Sequence, residues 1–556
     1  EEESQELVVS EVGQMLALRS LTFYEDGLLR GTCVSDVLRY RASIFRDRPS
    51  TAKDYRLSEP VDHLDAFISH NWSTPRWDKF ISLALHFNFK IATIVSSAVA
   101  LLFFVLQCIG WVPLVQEVFK EHSSSIGVCC QLGSLASFFL TLFFVHEAQT
   151  WLPWRSPMVF LDKTCVHQTN DTLKRKGIES LPAFLTHSWS MVVLYSDVYL
   201  EKLWTVYELA TFLLLFPDGC LAVQPVFFPQ VVLRSLLLVC FSRLSCAIFF
   251  LPWCQEALGE ELKHTKFVPQ LLSAVILLPA LFGLTLVFRR WAREVDAINK
   301  RVQNFSILKA ACLREADRQI VEGNVVSFSK LFGFVSRDTS KAAALASFDL
   351  LVQQELPRLL HASLGKVGVP YRYAVAIFAI YVPYVLDHIS GQVIDGTASA
   401  FSVMGLILWG IALVFCIGPL TVAMCYGLAN WSLLLEGAGA MLAVTVSTFF
   451  ALAFYATSIF CGINTLLHYS LHNSRVHIGI FFGLDVAFVG IAVFLYRRPR
   501  SRTPVRRRLP NPVGDSDVEC DDSSSTGAES GADSVLEHAN FVPIAKGGAL
   551  PRAEYQ

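Results

Sequence analysis

The chain has 556 residues, 53% of them hydrophobic and 17% charged, with a mean hydropathy of +0.44 and a formal net charge of -2. This is more apolar than a soluble domain and marks a polytopic membrane protein, and the near-neutral balance argues against nucleic acid as a partner. Fourteen cysteines are scattered without a CxxC pair, many in apolar runs such as Cys129-Cys130, Cys240 and Cys461, and read as reduced packing residues rather than disulfides or metal ligands.

Residues 1–60 begin with an acidic run, lack the basic-then-apolar pattern of a signal peptide, and are expected to be a cytosolic segment. Residues 61–88 and 150–230 share one grammar. The runs Leu64–His70, Pro157–Lys163, Trp189–Ser196 and Cys220–Pro229 read as strands, and Arg76–His86, Ile178–Ser188 and Tyr199–Leu215 as helices between them. Continuous apolar strands alternating with helices indicate a parallel sheet covered on both faces. A transmembrane hairpin, 89–147, interrupts this α/β region.

Since a bilayer core of roughly 30 Å needs about 20 apolar residues of helix, eight spans are expected, near 89–112, 126–147, 231–252, 267–288, 371–390, 398–418, 439–462 and 477–496. Two of these fall in 231–288 and four in 371–496. The run 419–436, broken by Gly427, Asn430 and Glu436, reads as interfacial or re-entrant. Residues 289–370 read as a cytosolic amphipathic helical region, with Ile307, Ala310, Ala311 and Arg314 at helical spacing, whose ordinary role would be a solvated connector. The acidic, Ser/Gly-rich tail, 497–556, is expected to be disordered.

Basic residues set the orientation. Fourteen Lys and Arg lie in 289–372 and seven Arg in RRPRSRTPVRRR, against very few in 113–125, 391–397 and 463–476, so both termini and the α/β region are expected in the cytosol. The sequons at Asn71, Asn170, Asn304 and Asn430 then fall on the inner side.

In a parallel α/β sheet, ligands bind outside the carboxyl ends of the strands. Here those ends are Ser69-His70-Asn71-Trp72, Asp162-Lys163 and Ser196-Asp197. The same stretches carry a family likeness. DAFISH resembles the first box of a TIR (Toll/interleukin-1 receptor) domain, and FLDK with the polar, basic loop ending at Gly177-Ile178 resembles its second strand and BB loop. VVLYSDVYLEKLWTVYEL resembles the stretch around its third strand, and QPVFFP the strand that follows. The likeness covers about 140 residues once the hairpin is removed. It departs from the family in having Trp204-Thr205 where a Trp-Cys pair is usual, in the hairpin after the first helix, and in showing no clear fifth strand before residue 231.

The expected architecture is therefore a flavodoxin-like α/β, TIR-like parallel sheet, truncated to four strands, joined to an α-helical transmembrane bundle of about eight spans. The resemblance implies either homotypic TIR–TIR association or cleavage of NAD or a related nucleotide at the nicotinamide–ribose bond. It implies Glu208 as the catalytic carboxylate, stabilising an oxocarbenium-like sugar cation. Ser69, Trp72, Asp162 and Ser196 would line the binding site, with Trp72 stacking on a base. NAD would be substrate, and no resident cofactor is implied.

Ordinary roles compete at each position: a solvent-facing Glu208, an Asx turn at Asp162, and simple packing for Trp204 and Tyr207. His70 lacks partners at metal-ligand spacing. Three functions remain open: a membrane-anchored TIR-type NAD hydrolase in signalling, a non-catalytic self-association module, and a channel or transporter with a regulatory TIR-like part. Ionisable residues within the spans are sparse, among them Arg243, Asp387, His388 and Asp485, which weighs against a pump. Arg243 is expected to pair with Asp485.

Overall fold

Five consecutive buried residues, Ala66–His70, form the central strand of a six-stranded sheet. In the computed structural model, residues 19–496 are described apart from short stretches, the longer being 152–155, 250–255, 257–267, 435–438 and 454–474. The tail 497–556 and residues 1–18 lie outside the described residues. Strands are β1 (Arg30–Cys33), β2 (Ser58–Pro60), β3 (Ala66–His70), β4 (Val115–Phe119), β5 (His122–Ile126), β6 (Met158–Phe160), β7 (Ser190–Tyr195) and β8 (Cys220–Pro225). The sheet runs β2-β1-β6-β3-β7-β8.

Its core is the expected parallel set, with β3 beside β6 (Ala66 opposite Val159), β7 beside β3 (Ile68 opposite Val192) and β8 beside β7 (Val193 opposite Val223). Four strands is an underestimate. β1 runs antiparallel to both β6 and β2, so the sheet is mixed and its outer pair comes from the segment read as an N-terminal extension. Strands of three or four residues with sequences SEP and RGTC have no apolar alternation to announce them.

Alternation along the core strands explains why they are apolar throughout. Ala66, Ile68, Val192 and Leu194 pack on one face with Val37, Leu38, Phe45, Phe80 and Leu83. Phe67, Met191, Val193 and Tyr195 pack on the other with Leu203, Val206, Leu209 and Ala210. Each such large side chain, fully buried, contributes about 1.5–3 kcal/mol.

The longer helices are α1 (Arg76–Cys108), α2 (Cys129–Gln149), α3 (Leu203–Leu215), α4 (Phe228–Phe249), α5 (Val268–Gln303), α6 (Glu315–Leu331), α7 (Lys341–Leu364), α8 (Tyr371–Ile394, with a break at Ala379-Ile380), α9 (Ala400–Ser432) and α10 (Arg475–Tyr496). Among the described residues five helices are long and apolar enough to cross a membrane: α1, α2, the Phe228–Ser245 part of α4, α8 and α9. The expected helix Arg76–His86 and the first span are one 33-residue rod, because no breaker separates them. At 1.5 Å per residue it is about 50 Å long, more than a bilayer core requires, so its first turns belong to the sheet.

Gly418–Ser432 continues α9 through a π-helical turn at Leu413–Ile417, replacing the interfacial segment expected at 419–436 with one long helix. Gly427 and Asn430 do not break it. The expected spans at 267–288 and 477–496 coincide with α5 and α10, and of 439–462 the helix Met441–Ala451 is described.

Region 289–370 is not a solvated connector. α6 buries Val321, Val325 and Phe328, α7 buries Leu345, Phe348, Val352 and Leu356, and both belong to the same core as α3 and the sheet. Residues 307–311, expected as helix, instead form a short 3-10 turn that ends in a parallel bridge between Lys202 and Ala311.

The hairpin β4–β5 joins α1 to α2 and docks on α8. Asp395 accepts from Ser125 N (2.7 Å) and Ser125 Oγ (2.6 Å). Gly391 makes this approach feasible, since a Cβ there would lie 1.8 Å from the carbonyl oxygen of Ser125. Beside it, the Asp387 carboxylate accepts from Gln107 Nε2, Cys130 N, Gln131 N and Gln131 Nε2 at 3.0–3.1 Å, capping the start of α2.

Candidate functional site

Ser69 is the fourth residue of β3 and, like Phe67, faces α3. Across that interface its Oγ donates to Glu208 Oε2 at 2.5 Å and lies 2.6 Å from Tyr199 OH. Glu208 is partly buried on a helix that is otherwise apolar at most of its positions, and it turns to the strand ends rather than to bulk water. Burial pushes its carboxyl up to about 8; the Ser69 hydrogen bond opposes this and the nearby Asp162 charge adds to it. Tyr199 is held well above its ordinary range, first by burial and then by the Glu208 charge.

The Tyr199 hydroxyl arrives there through the 3-10 turn Tyr199–Glu201 that follows β7. Thr205, where the resembled family has Cys, donates to the carbonyls of Tyr199 and, at 2.9 Å, Lys202, and so ties that turn to the first turn of α3. Tyr199 was missed in the sequence. Its signal was the spacing: three residues beyond the strand end at Ser196, one 3-10 turn brings a side chain back over the sheet.

A second group forms at the ends of β3 and β6. Trp72 Nε1 donates to Asp162 Oδ2 at 2.7 Å, and Lys163 N donates to Asp162 Oδ1 at 2.7 Å. Burial raises Asp162 to about 6 against these two hydrogen bonds and the charges of Lys79 and Lys163. The Trp72 ring is 51% exposed yet pinned: its carbonyl accepts from Lys79 Nζ (3.2 Å) and the Lys163 ammonium sits 5.0 Å from its centroid. Lys163 Nζ in turn donates to the carbonyls of Arg46 and Arg48. His70 faces away from Ser69, between the Phe45 and Trp72 rings, and burial, then the Lys79 and Lys163 charges, keeps it well below its usual pKa and neutral.

The expected residues therefore fall into two hydrogen-bonded groups. Ser69 and Glu208 meet directly, as do Trp72 and Asp162, and the two carboxyls sense each other electrostatically. Ser196 follows the last residue of β7, Tyr195, and is buried, but its Oγ has no hydrogen-bond partner among the described residues. Lys79, 1% exposed, was also missed, and the equally buried Lys163 was expected only as a strand-end neighbour of Asp162; lysines this buried are rare in sequence-based expectation because they are normally surface residues.

Trp204 and Tyr207 pack with the core that α3 shares with the sheet, and their polar atoms reach α6: Trp204 Nε1 lies 3.4 Å from Asp317 Oδ2 and Tyr207 OH accepts from Asn324 Nδ2 at 3.0 Å. Another expectation needs correction. The stretch expected as a BB loop is helical over Asp171–Glu179, capped by Asn170 Oδ1 accepting from Thr172 N and Leu173 N. Among the described residues no group of three or more His, Cys, Asp or Glu is placed to hold a metal ion, and cysteines such as Cys33, Cys130, Cys165 and Cys240 are not disulfide-bonded. Compared with family models, with curated proteins and with solved structures, the chain gives no match.

Proposed function

We propose that this is a membrane-anchored, TIR-like signalling protein that hydrolyses NAD at the nicotinamide–ribose bond on the cytosolic side. The reading rests on the TIR-like residue pattern, and one observation carries it: a carboxyl, Glu208, aimed at the carboxyl ends of a parallel sheet and held there by Ser69. In the reaction the bond from ribose C1′ to the pyridinium nitrogen breaks with its electron pair leaving on neutral nicotinamide. Water adds to the resulting ribosyl cation and releases a proton, giving ADP-ribose. An ionised Glu208 stabilises that cation, and the pinned, half-exposed Trp72 ring offers a face for a base.

Because Glu208 loses its proton only near pH 8, the free protein at neutral pH holds it mostly protonated. The cationic nicotinamide ring of the substrate favours the ionised form on binding. The same observation favours the second reading, a non-catalytic TIR-type self-association module, in which a neutral Glu208 is simply a hydrogen-bonded core group.

Purified full-length protein in detergent, given NAD, should release nicotinamide, and Glu208→Ala should abolish release while leaving the unfolding temperature within a few degrees. Wild-type protein that releases none but self-associates supports the scaffold reading, and full activity in Glu208→Ala removes the catalytic role.

A further inference from the structure

Arg243 sits about 22 Å along α4 from Phe228 at 1.5 Å per residue, inside an apolar helix, and is only 6% exposed. The side chain of the expected partner, Asp485, lies outside the described residues, and among the described residues Arg243 has no ion pair. Its guanidinium lies 3.6 Å from the centroid of the Tyr384 ring on α8. That contact addresses the face of the guanidinium and leaves its edge: Nε and Nη2 are buried and without hydrogen-bond partners.

The same ring gathers a second orphan. Trp409 of α9 packs 5.9 Å from Tyr384, is 7% exposed, and its Nε1 is likewise buried and unpartnered. His388, one turn beyond Tyr384, stands edge-on to it at 4.5 Å. Arginine and indole nitrogens can only donate. A pair of buried orphan donors could be served by any acceptor, but a permanent cation inside an apolar bundle also has no counter-charge among the described residues, so the missing partner is an acceptor that is negative.

We propose that Arg243 and Trp409, ordered around Tyr384 beside His388, form an anion-binding site within the helical bundle that takes one singly charged acceptor. Its chemistry is that of a halide-type anion or of the phosphodiester of a lipid headgroup reaching between the helices. It is independent of the strand-end site and of any NAD chemistry there.

The test uses the full chain in detergent, comparing chloride with gluconate, and separately phosphatidylglycerol with phosphatidylcholine, by unfolding temperature. Wild type should show a saturable rise with chloride, with phosphatidylglycerol, or with both, which identifies the source. Arg243→Gln should abolish the rise. Trp409→Phe, which keeps the ring and removes one donor, should weaken the apparent affinity about fivefold, the equivalent of one ordinary hydrogen bond. A wild type indifferent to both additives overturns the site, as does an Arg243→Gln protein that responds unchanged. Should Arg243→Gln fail to fold, an unaltered affinity in Trp409→Phe overturns the donor set.

Discussion

Asp387 and Glu208 are both carboxyls withdrawn from water, and their surroundings treat them in opposite ways. Asp387, fully buried in α8, collects four N–H donors from α1 and α2 and holds the start of a helix. Glu208 receives one hydroxyl, stands near another carboxyl, and keeps its proton to about pH 8. A carboxylate with saturated lone pairs has no capacity for a ligand; one that is underserved and proton-retaining does. The contrast separates a structural acid from a candidate functional one without reference to their positions in the sequence.

The largest effect that would break this contrast lies at Asp387. Asp387→Ala leaves buried N–H groups of Gln107, Cys130 and Gln131 unpaired and should destabilise the protein by about 3 kcal/mol or more, read as a drop in unfolding free energy in detergent. Asp387→Asn, retaining one acceptor oxygen, should lose less. A tolerant Asp387→Ala protein means that the network is ornamental.

Glu208→Gln tests the other side through pH. A carboxyl raised in the folded state adds stability that is complete below its unfolded value, near 4.5, and is lost as pH rises through about 8. Wild-type stability should therefore fall across pH 5–8 relative to Glu208→Gln, whose side chain does not titrate, and the variant should be the more stable protein above pH 8. Parallel pH profiles for the two proteins contradict the raised carboxyl.

Ser69→Ala should move the same titration further. Since the Ser69 hydroxyl favours the ionised carboxyl, its loss raises Glu208, and under the proposed chemistry the midpoint of nicotinamide release against pH shifts to the alkaline side. An acid shift, or none, means that the hydroxyl is not governing the carboxyl.

The smallest effect is expected from Trp72→Phe, which deletes the indole donor to Asp162 at a half-exposed position. The expected loss is about 1 kcal/mol or less, with the Asp162 carboxyl moving up from about 6. A change as large as that of Asp387→Ala would mark Trp72 as a framework residue.

The parallel core was legible because β3, β6, β7 and β8 are covered on both faces, which forces apolar residues at nearly every position and leaves polar ones only where the strands stop. Ser69, Asp162 and Ser196 stood out for that reason. The outer strands were hidden, since RGTC and SEP pair through the backbone and their side chains carry no pattern. The helix Asp171–Glu179 was signalled by Asn170-Asp171 at its start and Lys176 near its end, a capping pattern that the resemblance to a loop overrode. Docking of α6 and α7 was beyond reach for another reason: their amphipathic periodicity shows that a face is buried without showing against what. Arg243 stood out as a charge within a span, but its contact with the Tyr384 ring was not foreseen, because a search for opposite charge passes over an aromatic ring.

The order of elements along the chain has a consequence for synthesis. β3 leaves the ribosome about 90 residues before the end of β6, the neighbour beside which it must lie, and α1 and α2 emerge in between. At roughly 5–20 residues per second, that strand stays unpaired for about 5–20 s. Its five buried positions, open on both edges, are for that interval the most adhesive segment of the nascent protein. Closure of the sheet waits on the return of the second membrane helix, so a nascent chain that fails to seat the hairpin presents an unpaired strand to the chaperones and proteases of its compartment.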